Sequence, residues 1–158
     1  MTDTLIVSVS GLRGIVGGSL TPEVAVRYAR AFVDQLPAGP IVLGRDGRAH
    51  GGMFAEAITR ALLADGRDVI DAGIAATPTV GIVVRDQHAA GGLQISASHN
   101  PAPYNGLKLF SAGGGARRAR PRHRRRRGDP PAPAQGLARL WPRRGQPRRP
   151  AALGGPRM

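Results

Sequence analysis

Leu93-Gln94-Ile95 followed by Ser96-Ala97-Ser98-His99-Asn100-Pro101 is a short strand-like stretch that breaks into a polar, turn-forming loop. A run of three to five apolar residues that stops at turn-forming residues reads as a buried strand. The same unit recurs towards the N-terminus. Ile41-Val42-Leu43 enters Gly44-Arg45-Asp46-Gly47-Arg48, and Leu5 to Val9 enters Ser10-Gly11-Leu12-Arg13-Gly14, where the glycines predict a loop. Val69-Ile70 and Leu107 to Phe110 are two further short strands.

Between these strands lie helical patterns. Thr21-Pro22-Glu23 supplies an N-cap, a first-turn proline and an acid at the positive end of the dipole. Val24, Tyr28, Ala31 and Phe32 then share one face. Residues 53–65 place Phe54, Ile58, Ala61 and Leu62 on one face and stop at Gly66. Thr77-Pro78 opens a third helix carrying Val80, Val83 and Val84. Short strands alternating with longer helices predict βαβ units, a largely parallel sheet and a three-layer α/β/α domain. In such sheets, function collects in the loops beyond the carboxyl ends of the strands. Here those loops carry S-G-L-R-G, G-R-D-G-R and S-A-S-H-N-P.

The formal charge of +13 suggests a nucleic-acid partner, but its distribution argues otherwise. Residues 1–113 contain nine Lys+Arg and nine Asp+Glu, whereas residues 114–158 contain fourteen Arg and one acid, Asp129. Gly, Ala, Arg and Pro make up 36 of those last 45 residues, with three leucines and Trp141 as the large apolar groups. Such a segment cannot offset the entropy of ordering, so residues 114–158 are expected to be a disordered tail after a domain spanning residues 1–113. Those four residues have codons built from G and C alone. The abrupt change near Gly113 therefore predicts GC-rich coding DNA read out of frame. The tail lacks Lys and Ser and has one stacking aromatic, so no specific nucleic-acid partner is expected. The chain has no Cys, no apolar run of membrane-spanning length and no signal-peptide pattern at Met1–Leu5, so a soluble cytoplasmic protein is the expectation.

Ser96 to Pro101 resembles the phosphoserine loop of the α-D-phosphohexomutases, the phosphoglucomutase/phosphomannomutase/phosphoglucosamine mutase family, usually written T-A-S-H-N-P. Asn105-Gly106-Leu107-Lys108 is similar to the family's N-G-x-K, with Ser98 and Lys108 ten residues apart as in that pattern. S-G-L-R-G and G-R-D-G-R complete four motifs in family order. The resemblance covers residues 5–112, the first of four domains, and places domains II–IV of the parent enzyme outside this chain.

The resemblance implies a phosphotransferase that interconverts hexose 1-phosphates and hexose 6-phosphates through a phosphoserine and a hexose 1,6-bisphosphate. It implies that Ser98 is the phosphoryl carrier and, through its phosphate, a ligand of Mg2+. It makes Lys108 the general acid/base and a substrate-binding residue, Arg13 a catalytic arginine that binds the substrate's phosphate, and His99 a hydrogen-bond partner at the catalytic centre. Chemically, such a reaction needs an exposed hydroxyl, cations around the phosphoryl oxygens and a proton acceptor. Arg offers a planar fork suited to phosphate, and Lys108 is the only lysine in the chain. Arg45 and Asp46 are expected to form an ion pair that braces the active-site loop, with Asn100 as a further structural support. The main aspartate ligands of Mg2+, and much of the sugar site, would belong to the other domains. The isolated chain is therefore expected to be inactive. Two alternatives remain: a non-catalytic module that binds sugar phosphates, and a basic-tailed nucleic-acid-binding protein.

Overall fold

The computed structural model describes residues 4–8 and 11–115. Nine elements follow in order: β1 (Ile6–Ser8), β2 (Gly11–Ile15), α1 (Pro22–Val33), β3 (Ile41–Arg45), α2 (Gly51–Ala64), β4 (Val69–Ile74), α3 (Thr77–Asp86), β5 (Gly91–Ile95) and β6 (Tyr104–Ser111). The six strands form one sheet in the order β1-β2-β6-β5-β3-β4. Expectations for the tail fall, from residue 116 onward, outside the described residues. The domain's last turn reaches slightly past Gly113: the Gly114 amide donates to the Ser111 carbonyl at 2.8 Å, and the Ser111 amide donates to the Gly115 carbonyl at 3.1 Å.

The α/β/α arrangement is present, and the sheet is mixed. The β3–β4 and β3–β5 pairs are parallel, whereas β1–β2, β2–β6 and β5–β6 are antiparallel. Connection length explains the division. Parallel neighbours need a crossover of roughly a dozen residues or more, which α2 and α3 provide between β3, β4 and β5. The segment between β5 and β6 contains no helix and returns the chain antiparallel. Of the expected loop Ser10–Gly14, residues Gly11 to Gly14 instead belong to strand β2.

Helix α1 begins as its sequence dictates: the Thr21 Oγ1 accepts from the Val24 amide at 3.4 Å, and Pro22 occupies the first turn. Its C-terminal carbonyls and the following loop are held by one side chain. The Arg67 guanidinium donates to the carbonyls of Val33, Leu36, Pro37 and Gly39 at 2.6–3.3 Å. Val42, Val80, Val84, Ala89 and Phe110 form the core on the α3 face. Strand alternation turns Ile41 and Leu43 to the opposite face, where α1 and α2 pack together. Close seating of α3 depends on Gly92, where an added Cβ would lie 2.5 Å from the Val84 Cγ2.

Tyr28 is 5% exposed and lies on the buried face of α1, and its hydroxyl has no partner among the described residues. An unpaired buried hydroxyl costs about 1–3 kcal/mol. Burial also pushes its pKa up to about 12 from 10.0. Between those two values the unfolded chain ionises while the folded chain does not, so stability declines as pH rises through that window. Tyr28→Phe is expected to raise unfolding stability by about 0.5–2 kcal/mol near neutral pH. It should also flatten the alkaline decline, as read by denaturant melts at a series of pH values. A destabilised Tyr28→Phe chain would contradict this account of the hydroxyl.

Candidate active site

The loop after β5 departs from ordinary backbone geometry at Ser98, whose φ is +56°. A non-glycine residue held there costs about 1–3 kcal/mol, so the surroundings must impose it. Several contacts do. The Ser98 amide donates to the Ser96 Oγ at 3.0 Å, and Ser96 is itself buried. The Asn100 amide and its Nδ2 both donate to the Ala97 carbonyl, at 3.1 and 2.6 Å. The Tyr104 amide donates to the Pro101 carbonyl at 3.0 Å. Ser98 itself remains exposed, with its Oγ 3.5 Å from the His99 Nδ1.

Arg48 holds the loop from the other side. Its Nη2 donates to the carbonyls of Ser98 at 3.0 Å and Asn100 at 2.6 Å. Its Nη1 donates to the carbonyls of Pro101 at 2.9 Å and Tyr104 at 3.0 Å. The Nε donates to the Asp46 carboxylate at 3.3 Å, and the Arg48 amide donates to the same carboxylate at 3.1 Å. The ion pair beside the loop is therefore Asp46–Arg48. The expected Arg45–Asp46 pair gives way to it, and Arg45 instead reaches Asp71 on β4 at 4.0 Å. The reason is topological: the Asp46 amide donates to the Ile95 carbonyl at 2.9 Å, while Arg45 still belongs to β3 and lies beside β4. Asp46 bonds Arg48, and Asn100 lies within the loop that carries Ser98, where its Nδ2 donates to the Ala97 carbonyl.

Strands β2 and β6 bring the remaining residues together. Their register sets Gly11 opposite Lys108 and Arg13 opposite Gly106, so alternation puts Arg13 and Lys108 on one face. Arg13, Ser98 and Lys108 line one cleft of about 180 Å³, together with Ser96, Gly11 and Leu107. The Lys108 Nζ lies 3.5 Å from the Thr77 Oγ1 at the start of α3. The Arg13 Nε is buried and has no hydrogen-bond partner among the described residues. The backbones of β2 and β6 cross so closely that a Cβ on Gly106 would run into the Leu12 carbonyl oxygen, and one on Gly11 into that of Leu107. Gly11 of S-G-L-R-G and Gly106 of N-G-L-K thus serve strand contact.

Residues 4–122 match the family model described as phosphoglucomutase/phosphomannomutase, alpha/beta/alpha domain I. The chain belongs to the phosphoglucomutase/phosphomannomutase family. It is 44% identical over 110 residues to a phosphoglucosamine mutase of Rhodococcus erythropolis, covering 66% of this chain and 25% of that protein. A phosphoglucosamine mutase of Parasynechococcus marenigrum is likewise 44% identical, over 105 residues, with 66% and 23% covered. A crystal structure of a phosphoglucomutase/phosphomannomutase family protein from Burkholderia thailandensis superposes with a TM-score of 0.60 at 29% identity, covering 68% of this chain and 26% of that one. The chain spans about a quarter of the length of the curated relatives it matches.

In this family domain, Ser98, His99, Arg13 and Lys108 fall on two neighbouring structural features: the loop after β5 and the β2–β6 pair. Among the described residues no group of three His, Cys, Asp or Glu side chains could hold a metal ion. Sequence reasoning did not single out Arg48, although it stands in the quoted G-R-D-G-R, and it did not foresee Thr77 beside Lys108. Gly106→Ala is expected to destabilise the domain by about 2–4 kcal/mol through the forced separation of β2 from β6. Denaturant unfolding checks the magnitude, and unchanged stability would refute the close crossing.

Proposed function

We propose that Ser98 carries a phosphoryl group in the interconversion of hexose 1-phosphates and hexose 6-phosphates. The observation that carries this reading is the exposed Ser98 hydroxyl on a backbone held at positive φ, sharing one cleft with Arg13 and Lys108. In each transfer, a sugar hydroxyl attacks the phosphorus, a new P–O bond forms to the sugar, and the bond from phosphorus to the Ser98 Oγ breaks. The proton of the attacking hydroxyl is relayed by Lys108, acting as general acid/base, and ends on the Ser98 Oγ. Arg13 offers its guanidinium to the phosphoryl oxygens, where preorganised charge lowers the barrier. His99, beside the Ser98 Oγ, is placed to hydrogen-bond that oxygen or its phosphate.

Mg2+, when bound, would supply further charge neutralisation. This domain would contribute the Ser98 phosphate, and the other ligands would come from domains II–IV of the parent enzyme. Membership of the phosphoglucomutase/phosphomannomutase family and the four motifs support this reading over that of a non-catalytic sugar-phosphate module. No helix among the described residues is long and apolar enough to cross a membrane.

Incubating the chain with glucose 1,6-bisphosphate and reading peptide masses should find the added phosphate on Ser98, and labelling should slow about a hundredfold or more in Lys108→Ala. Phosphate on a different serine would overturn the assignment, and sugar-phosphate binding without any labelling would favour the non-catalytic module. In a coupled glucose 1-phosphate assay, turnover by this 158-residue chain is expected to lie at least about a thousandfold below that of an intact mutase, because the remaining domains supply the rest of the electrostatic frame. Turnover at the intact enzyme's rate would refute that dependence.

A further inference from the structure

We propose that Arg48 is the positioning residue that sets the left-handed backbone at Ser98, and so decides where the Ser98 Oγ stands in the cleft. The proposal rests on the reading of Ser98 as phosphoryl carrier. It adds a residue that never touches the phosphoryl group.

Arginine is suited to this task because its planar fork presents five donors in a fixed geometry. Here those donors are matched to acceptors. Four go to the carbonyls of Ser98, Asn100, Pro101 and Tyr104, and the Nε goes to Asp46. The Asp46 carboxylate also accepts from the Arg48 amide, so the guanidinium is fixed at both ends of its own side chain. Asp46 is in turn fixed to the sheet, its amide donating to the Ile95 carbonyl at the end of β5. A chain of contacts thus runs from the end of β5 through Asp46 and Arg48 back to the loop that β5 feeds.

The first of the four carbonyls belongs to the strained residue. A trans peptide is planar, with its N–H opposite its C=O. Drawing the Ser98 carbonyl onto Arg48 therefore turns the His99 amide away from Arg48, and it fixes one of the two peptide planes that define the Ser98 backbone. The other plane is fixed by the Ser98 amide on the Ser96 Oγ. With both planes held, Ser98 cannot relax to negative φ without breaking a hydrogen bond.

Arg67 provides an internal control. It gathers four carbonyls of residues 33–39 in the same manner, remote in sequence from the Ser98 loop and at the C-terminal end of α1. A merely stabilising role would make the two arginines equivalent.

The test is NMR of the isotopically labelled full chain, reading the sign of the Ser98 φ from backbone couplings and the Ser98 Cα and Cβ shifts. In the unsubstituted chain φ is positive. In Arg48→Lys, which keeps the charge but loses the fork, and in Arg48→Ala, φ is expected to revert to negative values. Exchange of the Asn100 and Tyr104 amides should rise about tenfold or more while the amides of β3 and α1 are unchanged. Arg67→Lys should weaken the fold yet leave Ser98 at positive φ. If both Arg48 variants fail to fold, Asp46→Asn loosens the same guanidinium without removing it and is expected to show the loop effects in reduced form. A positive Ser98 φ and wild-type loop exchange in a folded Arg48→Lys or Asp46→Asn chain would overturn the proposal. The carrier reading fails separately: an unsubstituted chain with positive φ whose Ser98 stays unlabelled by glucose 1,6-bisphosphate would remove that reading and leave the backbone role of Arg48 standing.

Discussion

A loop that leaves the buried end of a central strand carries carbonyl oxygens that the sheet can no longer satisfy, and each needs another donor. In this domain the loop after β5 meets that requirement through one guanidinium, which accepts no bonds itself and can serve four carbonyls at once. The consequence reaches beyond satisfying polar groups. Once its carbonyls are committed to Arg48, the loop has little freedom left, and Ser98 is held in a conformation that an isolated peptide would seldom populate. Packing, hydrogen bonding and the placement of the candidate nucleophile are thus one problem with one solution.

The second constraint is the close approach of β2 to β6. Strands that carry Arg13 and Lys108 must run side by side for the two cations to share a cleft. Gly11 and Gly106 allow the backbones to meet at points where a methyl group would strike a carbonyl. The buried Asn105 stabilises the same place, its Oδ1 accepting from the Gly106 amide at 2.8 Å. A pair of like-charged side chains on one face costs energy in the empty domain. Under the proposed function, an anion bound between them would reverse the sign of that term.

The sequence was most legible where periodicity and capping agree. Thr21-Pro22 marked the start of α1 correctly because the hydroxyl and the proline act through local geometry alone. The strand at Leu93 and the loop at Ser98 were equally plain, since a fully buried run ends at residues that favour turns. Gly11–Gly14 misled because glycine in a sequence signals either a turn or a close backbone approach, and only the partner strand, nearly a hundred residues later, distinguishes the two. Parallel pairing was overestimated for a related reason: local patterns reveal helices and strands, while the direction of pairing depends on which connections lack a helix. The Asp46–Arg48 pair was missed because Arg45 and Arg48 look alike in sequence. What separates them is that Arg45 is still within β3, beside β4, whereas Arg48 lies beyond the strand end, next to the β5 loop.

The division of labour within the site follows from the same geometry. Serine is a weak nucleophile and its phosphate ester an unreactive donor, so the rate must come from positioning and from charge placed around the phosphoryl oxygens. On the proposed reading, this domain contributes positioning: a hydroxyl on a loop whose two flanking peptide groups are hydrogen-bonded to Arg48 and Ser96. It supplies the charge only in part, as two cationic side chains along one wall of an open cleft. A phosphoryl group attached at Ser98 would remain solvated on its other side, where water screens the cations and weakens their effect. Closing that side by a further domain would raise the effective strength of Arg13 and Lys108 without moving either residue. The electrostatic contribution of this domain is therefore conditional on what covers it, whereas its contribution to geometry is not.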